Sequence, residues 1–322
     1  MKSKKNIFLT GGSGFIGNKI VQELANDCTL YILTRRSVNS TNNTLKYIQG
    51  DLLNLNEHDD LFKIIDVIVH VAGEKKDESK MFEMNVLGSR KIAAIVKHNK
   101  HIKLIHISSG GVFGIYNHNE NSIVENSNCY PNNQYEKTKL LAEKEIETIT
   151  DANKFIILRP TNVFGENDTS NKLLHLIKLI NANRFLFLNR NAMVNYVYVG
   201  QLSYIISKII ALDKYQNDIF IVNAACSIAK LNHLIQLQSN IKFEFKALPL
   251  ILSKPLKILA LAFDYLPTKF QKINSGKINE MTSENYYNSK KINEYLGGLD
   301  EEKFLEEGLK KLINYYKNKQ LL

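Results

Sequence analysis

Apolar residues recur along the first half of the chain in two alternating rhythms. Short, nearly continuous runs occupy Ile7–Thr10, Leu30–Thr34, Leu45–Gln49, Val67–Val71, Lys103–Ser108 and Phe155–Leu158. Runs of that length with so few polar positions predict strands buried on both faces. Between them, Phe15–Ala25, Lys80–Lys97 and Gln134–Thr148 repeat apolar residues at helical spacing. Strands alternating with helices in this way predict an α/β fold, a doubly wound parallel sheet with helices over both faces. Beyond Pro160 the rhythm loosens. Helices are predicted at Lys172–Ala182 and Leu202–Leu212 around a polar loop, one more strand at Ile219–Val222, and a closing amphipathic helix at Glu302–Lys317. No repeat and no low-complexity linker interrupts the chain.

Composition narrows the class. With 322 residues, 44% hydrophobic, 23% charged and five prolines, the sequence is that of a globular protein rather than a disordered or fibrous one. The formal charge of +10 comes mainly from scattered lysines. No helix carries a basic stripe interleaved with stacking aromatics, so nucleic acid is not an expected partner, whereas anionic small molecules suit the field. Cys28, Cys129 and Cys226 are far apart and in no metal-ligand spacing, which predicts a reducing, cytoplasmic setting and no metal site. The N-terminal residues lack the apolar core of a secretory signal. The most lipid-like stretch, Leu248–Leu266, is broken by Lys254, Pro255 and Lys257 and is too interrupted to span a bilayer. It reads as a helix over a substrate cleft, or alternatively as a membrane-surface contact.

Thr10-Gly11-Gly12-Ser13-Gly14-Phe15-Ile16-Gly17 follows the first strand and opens the first helix. Gly11 would permit the tight turn, Gly14 the approach of backbone N–H groups to a pyrophosphate, and Gly17 close packing of helix on sheet. In that strand–turn–helix context the triplet predicts a dinucleotide site built by Gly11, Ser13, Gly14, Phe15, Ile16 and Gly17. An NAD site usually ends its second strand in a carboxylate for the ribose. Here that strand ends Thr34-Arg35-Arg36, and a guanidinium at Arg35 suits a 2′-phosphate. NADP(H) is therefore favoured, with NAD(H) as the alternative. Asp51, followed by Leu52 after the third strand, either accepts from an adenine amino group or caps the next helix.

Tyr135 and Lys139 stand four apart at the start of a predicted helix, on one face of it. A phenol with an ordinary pKa near about 10 is a poor base, and a neighbouring ammonium would favour its phenolate. Ser108 and Ser109 end a buried strand one βα unit earlier, where hydroxyls face the ligand crevice of such a sheet.

Taken with His70-Val71-Ala72-Gly73, Asn85-Val86-Leu87-Gly88, Ser108-Ser109-Gly110-Gly111-Val112-Phe113-Gly114 and Arg159-Pro160-Thr161-Asn162-Val163-Phe164-Gly165, these motifs resemble the extended short-chain dehydrogenase/reductase family, which contains the nucleotide-sugar epimerases. The resemblance spans essentially the whole chain and implies a Rossmann-type sheet with a smaller, discontinuous C-terminal substrate region. Residues 1–165 would form the dinucleotide-binding domain, with a returning segment at about 192–224, and 166–191 and 225–322 mainly the substrate region. It also implies Tyr135 as general acid/base, Lys139 as its modulator and ribose ligand, and Ser109 as the holder of the reacting oxygen. Val71, Ala72 and Gly73 would line the cofactor, and Gly110 and Asn162 the substrate. Asn85 would support the site, or be a helix asparagine with a purely structural bond. Dimerisation through Lys80–Lys97 and Gln134–Thr148 is expected from the same likeness.

Two departures narrow the chemistry. Dehydratases of this family carry an acidic pair directly after the serine or threonine, and related decarboxylases a nearby glutamate, where this chain has Gly110 and Gly111. Dehydration and decarboxylation are therefore disfavoured, leaving net or transient hydride transfer at a carbinol or ketone. Val194 stands where many epimerases place an arginine for the substrate diphosphate, and Val194-Asn195-Tyr196-Val197-Tyr198-Val199-Gly200 looks closer to the ketoreductase branch. Arg184 or Arg190 would have to supply the missing charge. Three readings follow: a reductase or 4-epimerase acting on a nucleotide-activated sugar, as in polysaccharide biosynthesis; the same chemistry on a hydrophobic ketone; and a non-catalytic dinucleotide sensor.

Overall fold

The structure is a computed structural model that describes residues 4–38, 42–114, 121–152, 154–182, 184–240, 246–247, 279 and 281–322. The Leu248–Leu266 helix expected from sequence lies outside the described residues.

Seven strands form one parallel sheet: β1 (Lys5–Thr10), β2 (Cys28–Thr34), β3 (Leu45–Gln49), β4 (Val67–His70), β5 (Lys103–Ile107), β7 (Phe155–Pro160) and β11 (Asp218–Val222), in the order β11-β7-β5-β4-β1-β2-β3. Alternate residues of each strand enter different cores, which explains the continuous apolar runs. Ile7, Leu9, Ile32, Val69 and Ile107 pack on one face with Ile20 of α1 (Phe15–Leu24) and Ile205 and Ile209 of α7 (Val199–Leu212). Phe8, Leu33, Ile68, Leu104 and Ile157 pack on the other with Ile92 of α4 (Gly88–His98) and Ile146 of α5 (Gln134–Glu147). The chain runs outward from β1 to β3 and then returns to β4. The strand order therefore reverses between β1 and β4, and the crevice for a ligand opens beyond their carboxyl ends.

The predicted helix over Lys80–Lys97 is continuous but not uniform. α3 (Glu78–Met81) passes into a π-helical turn, Phe82–Leu87, before α4 begins. Such turns are rare and displace side chains from α-helical register. Here the turn carries the buried Asn85. The polar loop expected after Ala182 also contains a strand. β10 (Met193–Tyr198) lies between β8 (Asn162–Phe164), parallel to it, and β12 (Ala224–Ser227), antiparallel to it. The apolar face of this small sheet packs against α6 (Lys172–Asn181), α8 (Ile228–Ser239) and the closing helix α10 (Glu301–Asn318), which buries Leu305, Leu309, Leu312 and Ile313. Asn223, between β11 and β12, donates to Asn195 Oδ1 and to the Tyr287 carbonyl, so the small sheet is stitched to the β11 edge of the large one. The three cysteines are free thiols. No helix among the described residues is long and apolar enough to cross a membrane.

Candidate active site

The glycine turn is fixed by close approach. Gly11 sits at φ +74°, and a Cβ there would meet the Ala72 backbone nitrogen at 2.7 Å. A Cβ on Gly17 would come to 2.1 Å from the Gly11 carbonyl oxygen, so only glycine lets α1 start so near the sheet. Gly14 caps α1 with no side-chain acceptor, and the first turn carries no acidic residue. The N–H groups that open a helix point along its axis without intrahelical partners. With Ser13 and Gly14 exposed and Phe15 and Ile16 half-buried, this cradle fits a pyrophosphate. Thr10 Oγ1 accepts from the Val71 and Ala72 N–H groups at 3.2 Å each, locking the ends of β1 and β4 together across the switch point. Val71 and Ala72 are thereby held beside the turn, and Gly73 follows, exposed.

At the end of β2, Arg35 and Arg36 are both exposed. Asp51 caps the next segment: its Oδ1 accepts from Leu53 N at 2.9 Å and starts a 3-10 segment, Leu52–His58, whose first residue is buried.

Ser109, Tyr135 and Lys139 come together beyond β5. Ser109 Oγ accepts from Gly111 N at 3.1 Å, which fixes the hydroxyl as the cap of a 3-10 turn, Gly110–Phe113, and the same side chain lies near enough to the Tyr135 phenol to favour its ionised form. Lys139, one helical turn deeper on α5, is buried and donates to the Ile107 carbonyl at 2.5 Å. The electrostatics run opposite to the sequence expectation. Burial pushes the phenol up to about 12, the Ser109 side chain working against it and the Glu136 carboxylate with it. Burial lowers the Lys139 ammonium to about 8, with Glu143 opposing. Desolvation lowers Lys139 although the Ile107 carbonyl and the Glu143 carboxylate both favour the ammonium, because the side chain is buried.

The scaffold under this group went largely unread in the sequence. Glu143 and Arg159 form a buried pair, Nε–Oε1 3.0 Å and Nη2–Oε2 2.7 Å, and the Ser108 hydroxyl donates to the same carboxylate. Arg159 lies over the Phe113 ring, 4.5 Å from its centroid. Asn85 links the loop after β4 to α5: its Oδ1 accepts from Glu74 N at 2.7 Å, and its Nδ2 donates to Glu74 O at 2.9 Å and to Thr138 Oγ1 at 3.0 Å. His70 and His106 are fully buried side by side, ring centroids 5.1 Å apart, and burial drives both well below the ordinary imidazole range, His70 to about 3. An arginine inside an otherwise apolar strand signals a buried acid partner, since such charges are rarely buried unpaired. That partner is Glu143, four residues after Lys139 on α5. Asn162 is exposed on β8 and donates to the Asn195 carbonyl at 3.0 Å. Gly110 is buried at the foot of the crevice, where a Cβ would meet Thr161 Cγ2 at 3.3 Å. No group of metal-ligating side chains occurs among the described residues.

A doubly wound sheet with a glycine turn at its switch point defines a nucleotide-binding enzyme class. Residues 7–222 match the NAD dependent epimerase/dehydratase family, and the chain belongs to that family. It is 28% identical over 208 residues to the N-acetyl-alpha-D-glucosaminyl-diphospho-ditrans,octacis-undecaprenol 4-epimerase of Escherichia coli O157:H7, covering 61% of this chain and 60% of that protein. It is 27% identical to a putative UDP-glucose 4-epimerase of Methanocaldococcus jannaschii, covering 61% and 70%. The match thus spans 60% and 70% of the length of these curated relatives, which are named as epimerases. Among solved structures, the Bordetella bronchiseptica enzyme WbmG in complex with NAD superposes with a TM-score of 0.72 at 14% identity over 99% of this chain and 96% of that one, a likeness of fold.

Proposed function

We propose that the chain moves hydride at a carbinol or ketone carbon of a diphosphate-activated sugar, as a reductase or a 4-epimerase, with Tyr135 as its general acid/base. The observation that carries this is the meeting of Ser109 and the Tyr135 phenol beyond β5, with Lys139 one turn beneath. A phenol held near a pKa of about 12 is protonated at neutral pH and ready to donate to a ketone oxygen. Ser109 orients that oxygen, and Lys139 supplies positive charge under the site. Bound at the glycine turn, a nicotinamide dinucleotide would accept or give the hydride, and its oxidised ring would draw a neighbouring phenol's pKa down. Gly11, Ser13, Gly14, Phe15, Ile16 and Gly17 would hold its pyrophosphate, with Asp51, Leu52, Val71, Ala72 and Gly73 along its length. Gly110 and Asn162 would border the substrate.

Exposed Arg35 at the end of β2 supports selection of NADP(H). Arg35→Ala should bring the affinities for NADPH and NADH together, and an unchanged preference would remove the residue from cofactor choice. Exposed Phe82 and Leu141, on the π-helical turn and on α5, support a homodimer through these helices. Phe82→Glu with Leu141→Glu should then halve the mass seen by light scattering. The undecaprenol-linked sugar in the E. coli relative's name, together with the apolar Leu248–Leu266 segment, supports a second reading in which the sugar rides on a lipid diphosphate. Thermal shift with UDP, GDP and dTDP separates the two, since a lipid-carried substrate gives no nucleotide stabilisation.

Tyr135→Phe tests the central assignment. It should abolish turnover of a sugar nucleotide while dinucleotide binding and thermal stability persist. Turnover at the parent rate would overturn it.

A further inference from the structure

Helices α6, α8 and α10 pack their apolar sides on the same face of the small sheet, so their outward sides share one flank of the molecule. The residues turned outward there carry largely one sign of charge. On α6 the exposed positions are Lys172, His175 and Lys178, and exposed Arg184 follows the helix. A spacing of three sets side chains in a stripe along one helix face. Neither α6 nor α8 contains an acidic residue. α8 exposes His233 and Leu237 one turn apart, and Leu237, at 58%, is the most exposed large apolar side chain among the described residues. α10 is divided along its length. Its acids, Glu301, Glu302, Glu306 and Glu307, all lie in its first half. Beyond them Lys310, Lys311, Lys317 and Lys319 are exposed, and no acid occurs from Gly308 to Leu322. The acids bordering this flank are engaged or faced by cations. Glu302 pairs with Lys230 at 2.6 Å, and Glu166 accepts from the Tyr198 hydroxyl at 3.1 Å. Asp168 accepts from Ser170 N at 2.9 Å and from its hydroxyl at 2.6 Å, while Glu306 and Glu307 stand one turn before Lys310 and Lys311.

We propose that the flank formed by α6, α8 and the second half of α10 docks on an anionic lipid bilayer, its lysines at the headgroup phosphates and Leu237 at the edge of the acyl chains. Charge complementarity carries the assignment, since clustered lysines are drawn to an anionic leaflet over a screening length. Lysine suits this contact, because its stem lies along apolar surface while the ammonium stays with water and phosphate. Leu237 supplies the apolar element that a purely ionic partner would not need, and exposed Leu321 and Leu322, past α10, add to it. A nucleic acid is the poorer match: the stripes carry lysine rather than arginine forks, and no aromatic side chain of the three helices is fully exposed for stacking. The contact is peripheral, as no helix among the described residues is long and apolar enough to cross a membrane. It is independent of the reaction proposed above, because the glycine turn, Ser109, Tyr135 and Lys139 all lie on other elements.

The test is flotation of the full-length protein with vesicles of phosphatidylcholine alone and of phosphatidylcholine mixed with phosphatidylglycerol. Binding is expected to the mixed vesicles only, and it should weaken as salt rises from about 0.1 M to about 1 M and the screening length shortens. At roughly fivefold per lysine, Lys172→Glu, Lys178→Glu, Lys310→Glu and Lys317→Glu together should weaken it by about 10²-fold or more, with the circular dichroism spectrum retained. Glutamine at the same four positions, which puts no acid at a helix end, should act in the same direction by a smaller factor. Leu237→Ser should weaken binding by about tenfold without changing its salt dependence. Lys63→Glu with Lys100→Glu, exposed lysines beside the large sheet, should have little effect. A loss in that control equal, per lysine, to the loss on the flank would reduce the attraction to net charge and overturn the proposal. Absence of binding to the mixed vesicles would overturn it too, and retention on heparin in that case would mark the flank as a site for another polyanion. Either outcome leaves the hydride-transfer assignment standing, which turnover by Tyr135→Phe tests separately.

Discussion

Asn85, on the π-helical turn, reaches across to Thr138 on α5 with its amide nitrogen 3.0 Å from the hydroxyl oxygen, and the same side chain closes both backbone groups of Glu74. One asparagine therefore ties three things together: the loop leaving β4, the long helix behind it, and the helix that presents Tyr135 and Lys139. The π turn makes this reach available, since an extra residue in the turn rotates the side chain out of its α-helical direction. Gly73 shares the arrangement, because a Cβ there would fall 2.9 Å from Asn85 Oδ1.

Asn85→Ala should accordingly cost more than an ordinary helix substitution. It leaves a backbone N–H, a backbone carbonyl and a buried hydroxyl without their partner, at about 2–4 kcal/mol in all. Equilibrium urea unfolding would read this as a lowered midpoint with an unchanged slope. A loss below about 0.5 kcal/mol would mean the loop finds water or another partner instead.

The Glu143–Arg159 pair gives a second expectation. Both side chains are nearly inaccessible, at 2% and 5% exposure, so removing one partner strands the other's charge. Glu143→Ala should destabilise by about 3–5 kcal/mol, whereas replacing both, Glu143→Leu with Arg159→Met, should recover a large part of that. A double variant no better than the single one would show that the pair's links to Ser108 and to the Glu125 carbonyl matter more than the charge itself.

The central sheet was legible because its strands are covered on both faces, which leaves uninterrupted apolar runs such as Leu30–Leu33 that little else produces. The glycine turn was legible because its constraints are local, held within Thr10–Gly17. β10 was not, since Asn195, Tyr196 and Tyr198 break its apolar pattern. Asn195 is polar in the sequence yet buried, because the Tyr287 N–H and the Asn223 amide both donate to its side-chain oxygen. The approach of Glu136 to Gly111, where a Cβ would meet Glu136 Cγ at 2.9 Å, was hidden for a similar reason, since it joins the 3-10 turn after β5 to the first turn of α5 and no spacing along the chain encodes it. The raised phenol pKa likewise depends on burial that only packing supplies.

Gly17→Ala tests the turn directly. With a methyl group placed 2.1 Å from the Gly11 carbonyl oxygen and 2.8 Å from the Gly12 Cα, α1 has to move away from the sheet. A loss of about 1–3 kcal/mol in stability is expected from that overpacking, together with weakened dinucleotide binding by fluorescence titration. Affinity held at the parent level would show that the first turn of α1 does not bear the pyrophosphate.

The buried imidazoles set how stability should respond to acid. In the unfolded chain a histidine takes up a proton near pH 6.5, whereas in the fold His70 does so only near 3 and His106 lower than its ordinary value by a wide margin. Between these limits the unfolded state binds more protons, so the fold loses stability as pH falls from about 6.5, and above that pH the two residues contribute no slope. Each imidazole adds at most about 1.4 kcal/mol per pH unit across the window. The Lys139 charge facing both rings pushes the same way, while Thr10 and Ser89 hold only the ring of His70, and both nitrogens of His106 lack a hydrogen-bond partner. His106→Phe should therefore flatten the dependence of the urea midpoint on pH between about 6.5 and 4 and raise stability at the acid end, with His70 left to supply the remaining slope. An unaltered slope in that variant would mean His106 reaches water and titrates in the fold as it does in the open chain.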